Sequence, residues 1–143
     1  MILVADDEQP ARYGMTRALE SLDCEIIEAE DGQQTLDLIR SRAPDLVFLD
    51  LNMPVLDGRQ VLAELGRQPQ EYAAAEIIVV TARDDVTTAV ECVRAGAADY
   101  LVKPYEVDHL RSIATRSAER VRLQSRVDEL QQQVDREQAH AFC

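Results

Sequence analysis

Apolar residues gather along this chain in five short runs, at positions 2–5, 25–28, 46–49, 77–80 and 100–102, each rich in Val, Ile or Leu. Continuous runs of that length fit strands buried on both faces, and the segments between them carry apolar residues at helical spacing. The first such segment places Ala11, Met15, Ala18, Leu19 and Leu22 on one stripe, with Pro10 suited to a helix start. Later segments repeat the rule with Leu36 and Ile39, then Val61, Leu62 and Leu65, then Val86, Ala89, Val90 and Val93. A strand followed by a helix, five times over, predicts an α/β fold with right-handed crossovers and a parallel sheet coated on both faces. It also explains why the strands are apolar throughout and not alternating. In such a fold, the polar residues that end the strands collect along the carboxyl edge of the sheet.

The last segment departs from this pattern. From Glu106 to about Gln138 no Gly or Pro interrupts it, so at 1.5 Å per residue one helix could run roughly 50 Å. Val107, Leu110, Ile113, Ala114, Ser117 and Val121 form a stripe able to face the sheet. Beyond it Leu123, Val127, Leu130 and Val134 step by four, three and four, a heptad seam with Val at a and Leu at d that favours parallel two-stranded pairing. Gln131, Gln132 and Gln133 leave a solvated tail as the other reading. The expected organisation is one domain over residues 1–118 and a helical extension, a candidate coiled-coil linker, over 119–143.

Composition narrows the function classes. The 143 residues hold 27 acidic and 15 basic side chains, a formal charge of −12 that disfavours binding of nucleic acid or anionic lipid by this chain. Cys24, Cys92 and Cys143 are widely spaced, without a C-x-x-C or Cys/His metal pattern, and read as free thiols in a reducing compartment. The chain opens on Ile2-Leu3-Val4-Ala5-Asp6-Asp7, too soon acidic for a signal segment, and no run approaches the length of a membrane span. A cytoplasmic location is the expectation.

The strand ends carry the candidate chemistry: Asp6 and Asp7 after the first run, Asp50 after the third, Thr81 after the fourth, Lys103 after the fifth. Carboxylates ~4 Å apart repel by ~4 kcal/mol at an effective dielectric of ~20. Three of them side by side require protonation or a cation, and a hard divalent ion held by carboxylates, waters and a phosphate is the Mg²⁺ pattern. An Asp pair after a strand is otherwise a helix cap or a solvated turn. Lys103 is the only Lys among the 15 basic residues. A compact ammonium suits a phosphoryl oxygen, where Arg would suit a surface ion pair. A carboxylate such as Asp50 can attack phosphorus if the incoming charge is neutralised from several sides, and Thr81 adds a hydrogen-bond donor.

The set Asp6-Asp7, Asp50-Leu51-Asn52-Met53-Pro54-Val55-Leu56-Asp57-Gly58, Thr81-Ala82 and Tyr100-Leu101-Val102-Lys103-Pro104 resembles the receiver domain of two-component response regulators. The resemblance spans residues 1 to about 118. It implies a flavodoxin-like doubly wound (βα)5 fold with strand order 2-1-3-4-5, and often a cis bond between Lys103 and Pro104. It implies that Asp50 accepts a phosphoryl group from a sensor histidine kinase. Asp6, Asp7, Asp50 and the Asn52 carbonyl would then ligate Mg²⁺, and Thr81, the Ala82 amide and Lys103 would hold the phosphoryl oxygens. Thr81 and Tyr100 become the switch, repacking the helix 4–strand 5–helix 5 face, through which, with the C-terminal helix, a homodimer forms. Asn52 and Arg83 would flank the hydrolytic water and tune the lifetime of the phosphate. Chemistry beyond this self-catalysed transfer is not implied, so the chain reads as a signalling protein and not an enzyme.

Two rivals stand beside this reading. A phosphatase of the haloacid-dehalogenase type also uses a strand-end Asp and Mg²⁺, but with a second Asp as general acid where this chain has Asn52, which cannot exchange a proton in that role. A receiver-like module that only dimerises, independently of phosphate, is the other. Downstream, Thr81 to Val90 and the long last helix resemble receivers joined by a coiled-coil linker to AAA+ transcription activators of the nitrogen-regulation type. The alternatives are a stand-alone receiver whose helix docks a partner, or a linker to a cyclic-dinucleotide enzyme or phosphatase.

Overall fold

The computed structural model describes residues 1–69, 71–72 and 75–141. Phe142 and Cys143 lie outside the described residues, as does the Val121 side chain. Five parallel strands, β1 (Ile2–Ala5), β2 (Ile26–Ala29), β3 (Leu46–Asp50), β4 (Glu76–Ala82) and β5 (Asp99–Lys103), form one sheet in the order β2-β1-β3-β4-β5. Helices α1 (Gln9–Leu19), α2 (Gly32–Arg42), α3 (Gly58–Arg67), α4 (Val86–Arg94) and α5 (Val107–Ala141) connect or follow them. The flavodoxin-like order expected from the resemblance is therefore the order observed. β4 is longer than its apolar run, and β5 extends to include Lys103.

Alternate residues of each strand feed opposite layers. Leu3, Val47, Leu49, Ile77 and Val79 pack with Leu36 and Ile39 of α2, Val61 of α3 and Ala89 and Cys92 of α4. Val4, Leu46, Phe48, Ile78, Val80 and Leu101 pack with Met15, Ala18 and Leu19 of α1 and Leu110, Ile113 and Ala114 of α5. Each fully buried Leu, Val or Phe contributes roughly 1.5–3 kcal/mol relative to exposure, so both faces must be covered for these strands to be stable.

Several expected faces shift in detail. Leu22 lies past α1 in a single 3-10 turn, which Asp23 ends in the left-handed region at φ 55°. On α4 it is Ala89 and Cys92 that are buried, so the face is rotated from the Val86–Val93 stripe because Cys packs there as a small apolar group. Val107 opens α5 at 44% exposure and does not join the sheet-facing stripe; Leu110, Ile113, Ala114 and Ser117 do. α5 then continues unbroken to Ala141.

Local chemistry sets the loops beside the carboxyl edge. Asp31 caps α2 by accepting from the Gln34 amide at 2.8 Å, and Asp57 and Gln60 form a reciprocal capping box on α3. Gly58 is required there, since a Cβ would stand 2.9 Å from the Asp50 carbonyl oxygen. Gly32 is pressed more closely still, since a Cβ there would run into the Leu56 carbonyl oxygen. Between these fixed points Val55 occupies the left-handed region at φ 69° and is 72% exposed.

Candidate functional site

Parallel register brings the strand ends together. Asp6 follows β1, Asp50 closes β3 opposite Val80, and Thr81 and Ala82 lie opposite Val102 and Lys103. The Lys103 ammonium donates to Asp50 Oδ2 at 2.6 Å and to Asp6 Oδ2 at 2.8 Å. Groups 97 and 53 positions apart in the chain thus meet in one ionic cluster. Asp6 and Asp50 are buried, whereas the Lys103 side chain keeps 30% exposure.

Backbone amides satisfy the remaining carboxylate oxygens. The Asn52 amide donates to Asp50 Oδ1 at 2.7 Å, and the Glu8 amide donates to Asp6 Oδ1 at 2.9 Å. Both loops turn just after their strands, so an amide two residues on points back at the side chain. The Asp6 main chain is also held: its N–H donates to the Ala29 carbonyl, and its carbonyl accepts from the buried Arg12 guanidinium at 2.8 Å.

Two carboxylates share one ammonium, which leaves the cluster one negative charge in excess. Burial would raise the pKa of Asp6, but hydrogen bonds from Lys103 and the Glu8 amide outweigh it and hold Asp6 below the usual carboxylate value. At Asp50 burial prevails over the same kinds of bond, with the Asp6 charge adding to it, so Asp50 is pushed up. Burial disfavours the Lys103 ammonium, yet hydrogen bonds to Asp50 and Asp6 raise its pKa well above the ordinary value. The two acids thus shift in opposite directions although they share one partner, because burial wins at Asp50 and hydrogen bonding wins at Asp6.

The other expected residues are placed as follows. Asp7 is exposed, and among the described residues no group of three acidic, His or Cys side chains is drawn together. Asn52 is exposed, with its amide turned to Asp50. The Thr81 side chain is buried and its Oγ1 donates to the Ala82 carbonyl at 3.3 Å. Tyr100 is half-buried, paired in register with Val79, and packs at the margin of the layer under α2, α3 and α4. Arg83 is exposed in a 3-10 turn after β4. Met53 is buried in the core, so its role is packing. The Lys103–Pro104 bond is cis, as the resemblance implied.

Comparison with known proteins identifies this arrangement. Residues 2–115 match the family described as the response regulator receiver domain. The chain belongs to that family. A response regulator MprA from Mycolicibacterium vanbaalenii is 41% identical over 109 residues, covering 76% of this chain and 46% of the relative. One from Mycobacterium bovis is 39% identical over the same length. This receiver therefore spans about half the length of such relatives. The receiver domain of NtrX from Brucella abortus superposes with a TM-score of 0.75 at 34% identity, over 83% of this chain and 98% of that one. The receiver domain of AraT from Geobacillus stearothermophilus superposes at 0.76 with 30% identity, over 87% and 96% of the two chains.

One part of the receiver's site carried no motif. No motif sets Arg12 apart from the other arginines of the chain, although it sits three residues before the buried Met15 on the inward stripe of α1. An Arg at an inward helical position, with Glu28 and Glu30 at the end of the neighbouring strand, was the available signal.

Proposed function

We propose that this receiver stores a phosphoryl group on Asp50 and is switched by it. The observation that supports the reading best is the pairing of a buried, raised-pKa Asp50 with Lys103 at 2.6 Å, beside a second acid that has a lowered pKa. The ionised Asp50 oxygen attacks phosphorus of a phosphorylated histidine on a sensor kinase. The new O–P bond forms as the P–N bond breaks, and the imidazole leaves as a neutral ring after taking a proton from solvent. Lys103 and Thr81, with the Ala82 amide, neutralise the phosphoryl oxygens.

A divalent cation fits the donor set. Asp6, Asp7, Asp50 and the Asn52 carbonyl offer hard oxygen ligands, and the cluster of Asp6, Asp50 and Lys103 carries the excess negative charge that a cation offsets. When bound, Mg²⁺ supplies charge neutralisation for the incoming phosphoryl group. No other cofactor is needed for the transfer.

Phosphorylation replaces one charge by about −1.5 to −2 and adds acceptor oxygens. The Thr81 hydroxyl, now spent on the Ala82 carbonyl at 3.3 Å, exchanges this long bond for one to a phosphoryl oxygen. Tyr100, already half-buried one strand away, moves into the space that Thr81 leaves. The α4–β5–α5 face then changes its partner preference, which shifts a homodimer formed through that face and α5. Asn52 and Arg83 flank the water that later hydrolyses the phosphate. On this reading residues 1–118 are the signal-receiving unit and the remainder of α5 a linker that passes the change on.

Labelling tests the reading. Incubation with a small phosphodonor and Mg²⁺ should add one phosphoryl mass per chain, lost with Asp50→Asn and with chelator. Unchanged labelling of the Asp50→Asn protein would refute it.

A further inference from the structure

Arg12 is a buried charge on α1, its side chain only 8% exposed. Such a residue persists only where its donors are met. Nη1 donates to the Asp6 carbonyl at 2.8 Å, Nε donates to Glu28 Oε1 at 3.3 Å, and Nη2 lies 3.6 Å from Glu30 Oε1. Glu28 and Glu30 balance the guanidinium charge, so Arg12 adds little net field at the neighbouring acids. What it adds is geometry, because a planar fork fixes several acceptors at once.

The acceptor on the site side is informative. The Asp6 carbonyl belongs to the peptide that joins Asp6 to Asp7, so its orientation sets the direction in which both carboxylates leave the main chain. The Asp6 N–H is fixed by the Ala29 carbonyl at 3.1 Å, and Arg12 fixes the other side of the residue. We infer that Arg12 is a positioning residue for divalent-cation binding, acting through the Asp6–Asp7 peptide and touching neither the cation nor the phosphoryl group. The inference rests on the reading of Asp6 and Asp7 as cation ligands. Outer partners of metal ligands typically govern affinity by about 10- to 100-fold.

The test is calorimetric titration of the full, chelator-treated chain with Mg²⁺, alongside thermal unfolding without Mg²⁺. Arg12→Met should bind Mg²⁺ about tenfold more weakly than wild type. Arg12→Lys, which keeps the charge and can reach the carbonyl but cannot hold both glutamates, should lose about threefold and carries the test if the Met variant does not fold. Glu28→Gln weakens the strut but leaves the carbonyl bond, and should bind Mg²⁺ within about twofold of wild type. Asp6→Asn should lose binding, which establishes that the assay reports the site. Arg12 variants that unfold at lower temperature yet bind Mg²⁺ as wild type does would make Arg12 a structural strut only and overturn the inference, while Asp6→Asn still supported the site. A wild-type chain that binds no Mg²⁺, or an Asp6→Asn chain that binds it unchanged, would remove the site reading and the inference together.

Discussion

Asp50 and Asp6 lie side by side against one ammonium, yet their pKa values move in opposite directions. For Asp6, lowered in the folded state, the contribution to stability is present above its unfolded pKa and lost as pH falls through the folded value. For Asp50, raised, the sign reverses: folding is penalised once pH rises above its unfolded pKa of about 3.9, because the folded state resists ionisation. Asp50→Asn should therefore raise the unfolding midpoint at pH 7 in chelator, with the gain vanishing toward pH 3, where Asp50 is protonated in both states. Thermal unfolding at the two pH values measures it, and a lower midpoint at pH 7 would contradict the assignment. Val55 offers a second test at this scale. A β-branched residue at φ 69° costs about 1–2 kcal/mol, and Gly in its place costs about 0.5–1 in chain entropy. Val55→Gly should leave stability unchanged or raise it by up to ~1.5 kcal/mol, read from urea unfolding. A clear loss would mean that the exposed side chain packs in some way that compensates its strain.

At the scale of elements, β4 ties the site to the exit of the last helix. Its carboxyl end carries Thr81 at the sheet edge where Asp50 closes β3, and at its amino end Glu76 Oε2 accepts from the buried Ser117 hydroxyl at 2.7 Å and pairs with Arg120 at 3.0 Å. Those two residues stand one turn apart on α5, where the helix leaves the sheet. Glu76→Ala should destabilise the domain by about 1–3 kcal/mol, since it strands a buried hydroxyl, and adding Ser117→Ala should recover part of that loss. Thermal unfolding of the single and double variants decides, and additive losses would show that the pair is not coupled. The strand and helix periods were legible in the chain because each element buries one kind of stripe. The rotation of α4 toward Cys92 and the exclusion of Val107 were not, because small apolar and helix-end residues carry little directional signal until neighbours are packed.

For the whole molecule, the extension of α5 beyond the sheet leaves an apolar seam exposed. Leu123, Val127, Leu130 and Val134 are 62%, 57%, 55% and 44% exposed along α5, an apolar seam with the spacing of a two-stranded coil. If two chains meet along it, Leu130→Asp should shift the chain from dimer to monomer at micromolar concentration, as read by light scattering, while labelling at Asp50 is unaffected. A monomeric wild-type chain would remove the dimer reading. By itself the sequence determined the number and order of elements, the parallel sheet, and which strand-end residues were available for chemistry, because burial on both faces and short crossovers admit few other arrangements. Tertiary structure alone decided who meets whom. That Lys103 bridges Asp6 and Asp50, while Asp7 stays exposed and Arg12 grips the Asp6 carbonyl, depends on register and loop direction across 97 residues of chain, and local pattern carries no information about those distances.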